Sequence, residues 1–201
     1  MIEKSESVNL SSVKMIKNFF TADECNRLIT TAEQAWTRTH ASIQNTDNAQ
    51  EHYQMDKDYR ATVLLQPKTP DHKLCKKIYN FVRTVNYADK GWQFHLAGMY
   101  EPPTIMLYDA SESGRYDMHL DLGLGYVSSR RKIAYSILLN PHEYEGGELV
   151  FQLGRDAEPL VDQSIQGAII LFPTYLLHGV KPVIKGKRYV MVGWVHGNTF
   201  K

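Results

Sequence analysis

Tyr116-Asp117-Met118-His119-Leu120-Asp121, followed by Phe172-Pro173-Thr174-Tyr175-Leu176-Leu177-His178 and then by Lys187-Arg188, is the part of this chain whose reading decides the rest. In an extended strand, residues two apart point to the same face, so His119 and Asp121 reach one point while Leu120 packs the other way. A helix would need a spacing of three or four for the same result. Two imidazoles and one carboxylate occupy one face of an octahedral metal and leave three adjacent positions open for chemistry. His-x-Asp alone is common by chance; the later His178 and the basic pair beyond it give it meaning.

The bulk properties narrow the setting. With 201 residues, 43% of them hydrophobic, the chain suffices for one well-buried core and is short for two, so residues 1–201 are expected to form a single domain. A formal charge of +1, from 23 basic and 22 acidic residues, leaves no electrostatic footprint for nucleic acid or an anionic membrane. The N-terminal stretch MIEKSESVNLSSVKMIKNFF lacks the apolar core of a signal peptide, and no long apolar run follows, so a cytoplasmic location is expected. Cys25 and Cys75 both fall in helical patterns and read as reduced thiols rather than a disulfide or zinc site.

Thr21-Ala-Asp-Glu24 fits a capping box, and Cys25, Leu28, Ile29, Ala32 and Trp36 recur behind it at helical spacing. A second helix is expected from Thr69-Pro70, a cap followed by proline at the first helical position, with Leu74, Ile78, Phe81, Val82 and Val85 as its stripe. From Trp92 the pattern changes to short runs rich in Val, Ile, Tyr and Phe. Strands are predicted over 103–108, 115–121, 132–139, 148–152, 167–172, 178–183 and 188–195, with breaks at Asn140-Pro141, Gly146-Gly147 and Lys185-Gly186. The fold class is therefore mainly β with N-terminal helices: helical support over 13–90 and a jelly-roll core over 92–201. Residues 39–59 are polar and aperiodic, which marks them as a candidate lid.

These motifs, taken in order, resemble the iron(II) and 2-oxoglutarate-dependent dioxygenases, in the prolyl 4-hydroxylase-like branch that includes the PKHD-type hydroxylases. Val13 to Cys25 is similar to that branch's leading strand and first helix. Glu101-Pro-Pro-Thr-Ile-Met-Leu-Tyr108 with Gly114-Arg-Tyr116-Asp-Met-His119-Leu-Asp121 is similar to its cosubstrate and metal strands. Arg131 to Ser136 with Tyr144 to Leu149, and Phe172 through His178 to Arg188 and Trp194, match its later segments.

The resemblance implies a double-stranded β-helix, a distorted jelly roll buttressed by helices. It implies His119, Asp121 and His178 as Fe(II) ligands, Arg188 as the anchor for the distal carboxylate of 2-oxoglutarate, and Tyr108 as a hydrogen-bond donor to that carboxylate. The resemblance further implies dioxygen as cosubstrate, with ascorbate a candidate reductant. The activity implied is hydroxylation of an unactivated carbon coupled to oxidative decarboxylation of 2-oxoglutarate, on a peptidyl or small-molecule substrate such as proline, by a monomer or homodimer. The residue chemistry is consistent, since a planar guanidinium grips a carboxylate through two parallel hydrogen bonds.

Plainer readings stand beside these. Asp117 lies two before His119 and competes as a strand carboxylate, Tyr108 fits as a strand aromatic, and Lys187 replaces Arg188 if the register slips by one. A tight turn at Lys185-Gly186 would set Val183 opposite Arg188, so spacing alone does not aim Arg188 at the metal pair. His40, His52, His72, His95, His142 and His196 read as surface or hydrogen-bonded histidines, Arg60, Arg115, Arg130 and Arg131 as solvated charges with contact to an acidic substrate as their alternative, Gly146-Gly147 as turn chemistry, and Trp194 as core. The competing functional class is a catalytically silent jelly-roll binding module.

Overall fold

Thr21 starts the first helix by a reciprocal cap: its hydroxyl accepts from the Glu24 amide at 3.1 Å, and the Glu24 carboxylate accepts from the Thr21 amide at 2.8 Å. In the computed structural model, which describes residues 9–41, 43–45, 52–54 and 58–199, the chain enters on β1 (Lys14–Ile16), turns into α1 (Ala22–Ala35) and returns on β2 (Thr37–His40). A small hairpin of β3 (Ile43–Asn45) and β4 (His52–Gln54), then β5 (Arg60–Ala61) and β6 (Val63–Gln66), precedes α2 (His72–Tyr87). Next come β7 (Leu96–Gly98), β8 (Thr104–Asp109), β9 (Arg115–His119) and β10 (Arg131–Leu138). The chain closes with β11 (Tyr144–Gly146), β12 (Leu149–Phe151), β13 (Ile169–Pro173), β14 (His178–Val180) and β15 (Val183–Gly197).

Two large antiparallel sheets result beside the β3-β4 hairpin. The major sheet runs β1-β13-β10-β15-β8-β6-β2, with β7 and β11 also paired to β15, and the minor sheet runs β12-β14-β9-β5. Because side chains alternate along a strand, the central major-sheet strands offer one face to the helices and one to the minor sheet. Ile105, Leu107, Ile133, Ile137 and Met191 pack on the helix side with Cys25, Ala32, Ile78 and Val82. Met106, Tyr108, Ala134, Leu138 and Val190 face Leu149, Phe151 and Val180 of the minor sheet. The sandwich with helices on one outer face is the expected architecture. Cys25 and Cys75 are free thiols, and burial pushes the Cys25 thiol up to about 11. Among the described residues no helix is long and apolar enough to cross a membrane.

Several boundaries differ from expectation, each for a local reason. The second helix starts at His72, not at Pro70, because Asp71 is the cap: its carboxylate accepts from the amides of Lys73 and Leu74 at 2.9 and 3.1 Å. Lys185-Gly186 is no turn. Gly186 adopts φ +77°, where a Cβ would meet the Glu143 carbonyl oxygen at 2.2 Å, and β15 runs on through it. The support segment 13–90 is not wholly helical, since β6 pairs β8 in the major sheet and β5 pairs β9 in the minor one. Of the expected lid 39–59, residues 42, 46–51 and 55–57 lie outside the described residues; the flanking parts supply the end of β2 and the β3-β4 hairpin.

Candidate active site

β9 and β14 pair so that His119 stands directly opposite His178. Asp121 lies two residues past the end of β9, not on a seven-residue strand as the spacing predicts. The chain bends there because the amides of Asp121 and Leu122 both donate to the Thr174 carbonyl at 3.1 Å, and the bend still carries the carboxylate to the histidines. His119 Nε2 is 3.7 Å from one Asp121 oxygen and His178 Nε2 is 3.5 Å from the other. One ligand atom from each of the three residues lies within 4.8 Å of the others.

The donor atoms are prepared for a cation. His119 Nδ1 faces the Asp117 carbonyl and His178 Nδ1 faces the Leu176 carbonyl, each at 2.8 Å. With the proton held on Nδ1, the Nε2 lone pairs are free to bind metal. Burial, aided by the nearby His178, draws the His119 imidazole down to about 4, so it is neutral at physiological pH. Burial alone would raise the Asp121 carboxyl, yet His178 and His119 hold it below the ordinary carboxylate range. A neutral His119 imidazole beside an ionised Asp121 carboxylate matches the protonation states a divalent metal requires of such ligands. The rings are fixed by stacking: Tyr116 lies 3.5 Å from His119, centroid to centroid, and Phe172 meets His178 edge-on at 4.7 Å.

The three residues open into a cavity of about 170 Å³ between the sheets, lined also by Met106, Tyr108, Arg188 and Trp194. Arg188 is only 1% exposed, and its Nε and Nη1 have no hydrogen-bond partner. A buried guanidinium with unused N–H groups is costly unless an acceptor arrives, and a carboxylate matches its fork. Tyr108 pairs with Arg188 across the strands, the guanidinium carbon lying 5.2 Å from its ring; its hydroxyl donates to Met106 Sδ at 3.3 Å, and burial pushes its pKa up. Lys187 points the other way, to Asp109 at 3.3 Å, and Asp117 is exposed, so neither displaces the expected residue.

Some site residues were not legible in the sequence. Gly147 is more than turn chemistry: it adopts φ +70°, and a Cβ there would lie 3.0 Å from Arg188 Cδ. Arg60 is half-buried over the Tyr116 ring at 4.3 Å, and Arg131 lies over Trp194 at 3.5 Å; all four line the cavity, against the solvated-charge reading of these two arginines, while Trp194 also packs against the core as expected. Arg131 reaches the cavity because the β10-β15 register shifts between Arg131 and Ile133. His196 is fully buried with Nε2 3.0 Å from Glu101, while His40, His72, His95 and His142 are exposed; the side chain of His52 lies outside the described residues.

Residues 104–196 match the family model of the 2OG-Fe(II) oxygenase superfamily. A PKHD-type hydroxylase of Prochlorococcus marinus is 37% identical over 93 residues, covering 45% of this chain and 40% of that protein. The chain thus spans less than half the length of the curated relatives it matches first. Among solved structures, a Pseudomonas putida prolyl-4-hydroxylase superimposes with a TM-score of 0.60 at 18% identity, covering 94% of each chain. A Trichoplax adhaerens prolyl hydroxylase in complex with a hypoxia inducible factor peptide fragment gives 0.67 at 16% identity, covering 94% of this chain and 85% of that one. At such identities these structures establish the fold, the helix-buttressed double-stranded β-helix.

Proposed function

We propose that this chain, whose residues 104–196 match the 2OG-Fe(II) oxygenase superfamily model, is a hydroxylase using Fe(II), 2-oxoglutarate and dioxygen to act on a peptidyl or free amino acid such as proline. Fe(II) with these cosubstrates supplies oxidative decarboxylation to succinate and carbon dioxide, one oxygen atom passing into a C–H bond of the substrate. His119, Asp121 and His178 would hold the metal through Nε2, a carboxylate oxygen and Nε2. Arg188 would take the distal carboxylate of 2-oxoglutarate with Nε and Nη1, and the Tyr108 hydroxyl would turn from Met106 to the same group. The apolar walls from Leu149, Phe172, Val190 and Val192 exclude water around the bound acid.

The observation that carries this reading is Arg188, buried with two unmatched N–H groups in the cavity that the metal triad opens into. It speaks against a purely structural role, which needs no desolvated, unsatisfied guanidinium, and the His119, Asp121 and His178 cluster beside it favours the enzyme over the silent binding module. The two prolyl hydroxylase neighbours, one of them in complex with a peptide fragment, support an amino-acid or peptidyl substrate. Exposed Leu124 and Tyr126, on the loop that leaves Asp121, give such a substrate apolar surface to meet.

The test is anaerobic loading with Fe(II) and 2-oxoglutarate followed by oxygen. Succinate should form slowly even without the true substrate, and faster with a proline-containing peptide pool. Absence of both Fe(II) binding and succinate at neutral pH removes the proposal.

A further inference from the structure

Asp121 belongs to a bend rather than a strand, so something other than a β-ladder must hold it. Its amide is fixed by the Thr174 carbonyl, and its own carbonyl accepts from Arg131 Nη1 at 3.0 Å. Arg131 is in turn gripped by Glu101 through two parallel bonds, Nε to Oε2 at 2.7 Å and Nη2 to Oε1 at 2.5 Å. The far side of Glu101 meets buried His196, whose Nε2 lies 3.0 Å from Oε2, and His196 Nδ1 accepts from the Tyr100 amide at 3.3 Å. Thr174 closes the ring by donating its hydroxyl to the Arg131 carbonyl at 2.8 Å.

We infer that Glu101 is a positioning residue for the metal site, acting through Arg131 to fix the backbone of Asp121; this rests on the function proposed above. Glu101 touches none of the three ligands. Its fork sets the guanidinium plane, so that the one N–H left on the Asp121 side meets the carbonyl, while the flat face of the guanidinium rests on Trp194 at 3.5 Å. Without the carboxylate, Arg131 keeps its charge but loses its orientation. The Asp121 carbonyl is then released, and its carboxylate is presented to the metal over a wider range of angles.

Co(II), an air-stable stand-in for Fe(II) with visible ligand-field bands, provides the test on the full chain. Glu101→Gln should weaken Co(II) binding about tenfold, the scale on which outer partners of metal ligands act. Its Co(II) spectrum should change, while 2-oxoglutarate affinity at saturating Co(II) stays that of the wild type, because Arg188 is untouched. Glu145→Gln, which removes an exposed ion pair with Lys185, should change neither. A folded Glu101→Gln protein with wild-type Co(II) affinity and spectrum overturns the inference and leaves the metal site standing. Failure of the wild type to bind Co(II) overturns both. Should Glu101→Gln not fold, Arg131→Lys carries the test: the charge remains without the fork, the same loss is expected, and an unchanged affinity overturns the inference.

Discussion

The two faces of β10 and β15 are built from alternate residues of the same strands, and they have opposite characters. Toward the helices, Ile133, Ile137, Met191 and Val195 are sealed from solvent in an apolar layer. Toward the minor sheet, Ala134, Ser136, Arg188, Val190, Val192 and Trp194 border open volume and an unsatisfied guanidinium. Beyond the register shift at Arg131, the helix-facing odd positions carry cohesion and the even positions border the cavity, so a one-residue change of register would exchange the two. The lesson is that the cavity is tolerable because the opposite face of each strand is fully packed.

The sharpest way to break this division is His178→Ala. It should reduce turnover by at least the ~100-fold that loss of even an outer partner of a metal ligand can cost, while exposed His142→Ala leaves turnover intact. Equal loss in both would mean that folding, not the site, had failed. Ile137→Ala on the helix face should cost about 4 kcal/mol in chemical denaturation yet leave the 2-oxoglutarate affinity of the remaining folded protein unchanged. Arg188→Met should do the reverse. It should weaken 2-oxoglutarate binding about 100-fold, equivalent to ~2.7 kcal/mol, and raise the stability of the ligand-free protein by about 1 kcal/mol, because an unsatisfied buried cation is removed.

The smallest effect is acid sensitivity confined to the cavity side. Burial alone would raise the Glu101 carboxyl, but hydrogen bonds from Arg131 and His196 bring it down to about 2, from an ordinary 4.5. Between those values the unfolded chain binds a proton that the folded chain does not, so this contribution is complete above about pH 4.5 and is lost as pH falls toward 2. Thermal unfolding from pH 6 to pH 2.5 should show a loss of about 2 kcal/mol, once discounted for partial exposure, that Glu101→Gln lacks. Parallel pH curves for the two proteins would contradict the assigned ion pair.

How much of this was legible depends on whether the signal is local. The capping box of α1 and the His-x-Asp and later His motifs are short-range patterns, and the structure brings His119, Asp121 and His178 together. Asp71 displaced Thr69-Pro70 because a carboxylate that accepts from two helical amides outcompetes proline's preset φ. Gly186 reads as a break in one dimension, whereas in three it lets a single strand pass beneath Glu143. Arg60, Glu101 and Arg131 owe their places to register shifts and pairings across distant segments. No spacing in the sequence marks them, and Glu101 and Arg131 stand thirty residues apart.

Residues 60–66 cross from one sheet to the other with only Thr62 between: Arg60 and Ala61 pair with β9, and Val63 to Leu65 pair with β8. At that edge the gap between the layers is set by a covalent seam, tightened by the Thr62 hydroxyl on the Leu107 carbonyl at 2.9 Å. The sandwich therefore resembles a purse stitched along one side. The seam holds Tyr108 and the strand that carries His119 at a fixed separation, so a bulky guest cannot be admitted by parting the layers at that edge.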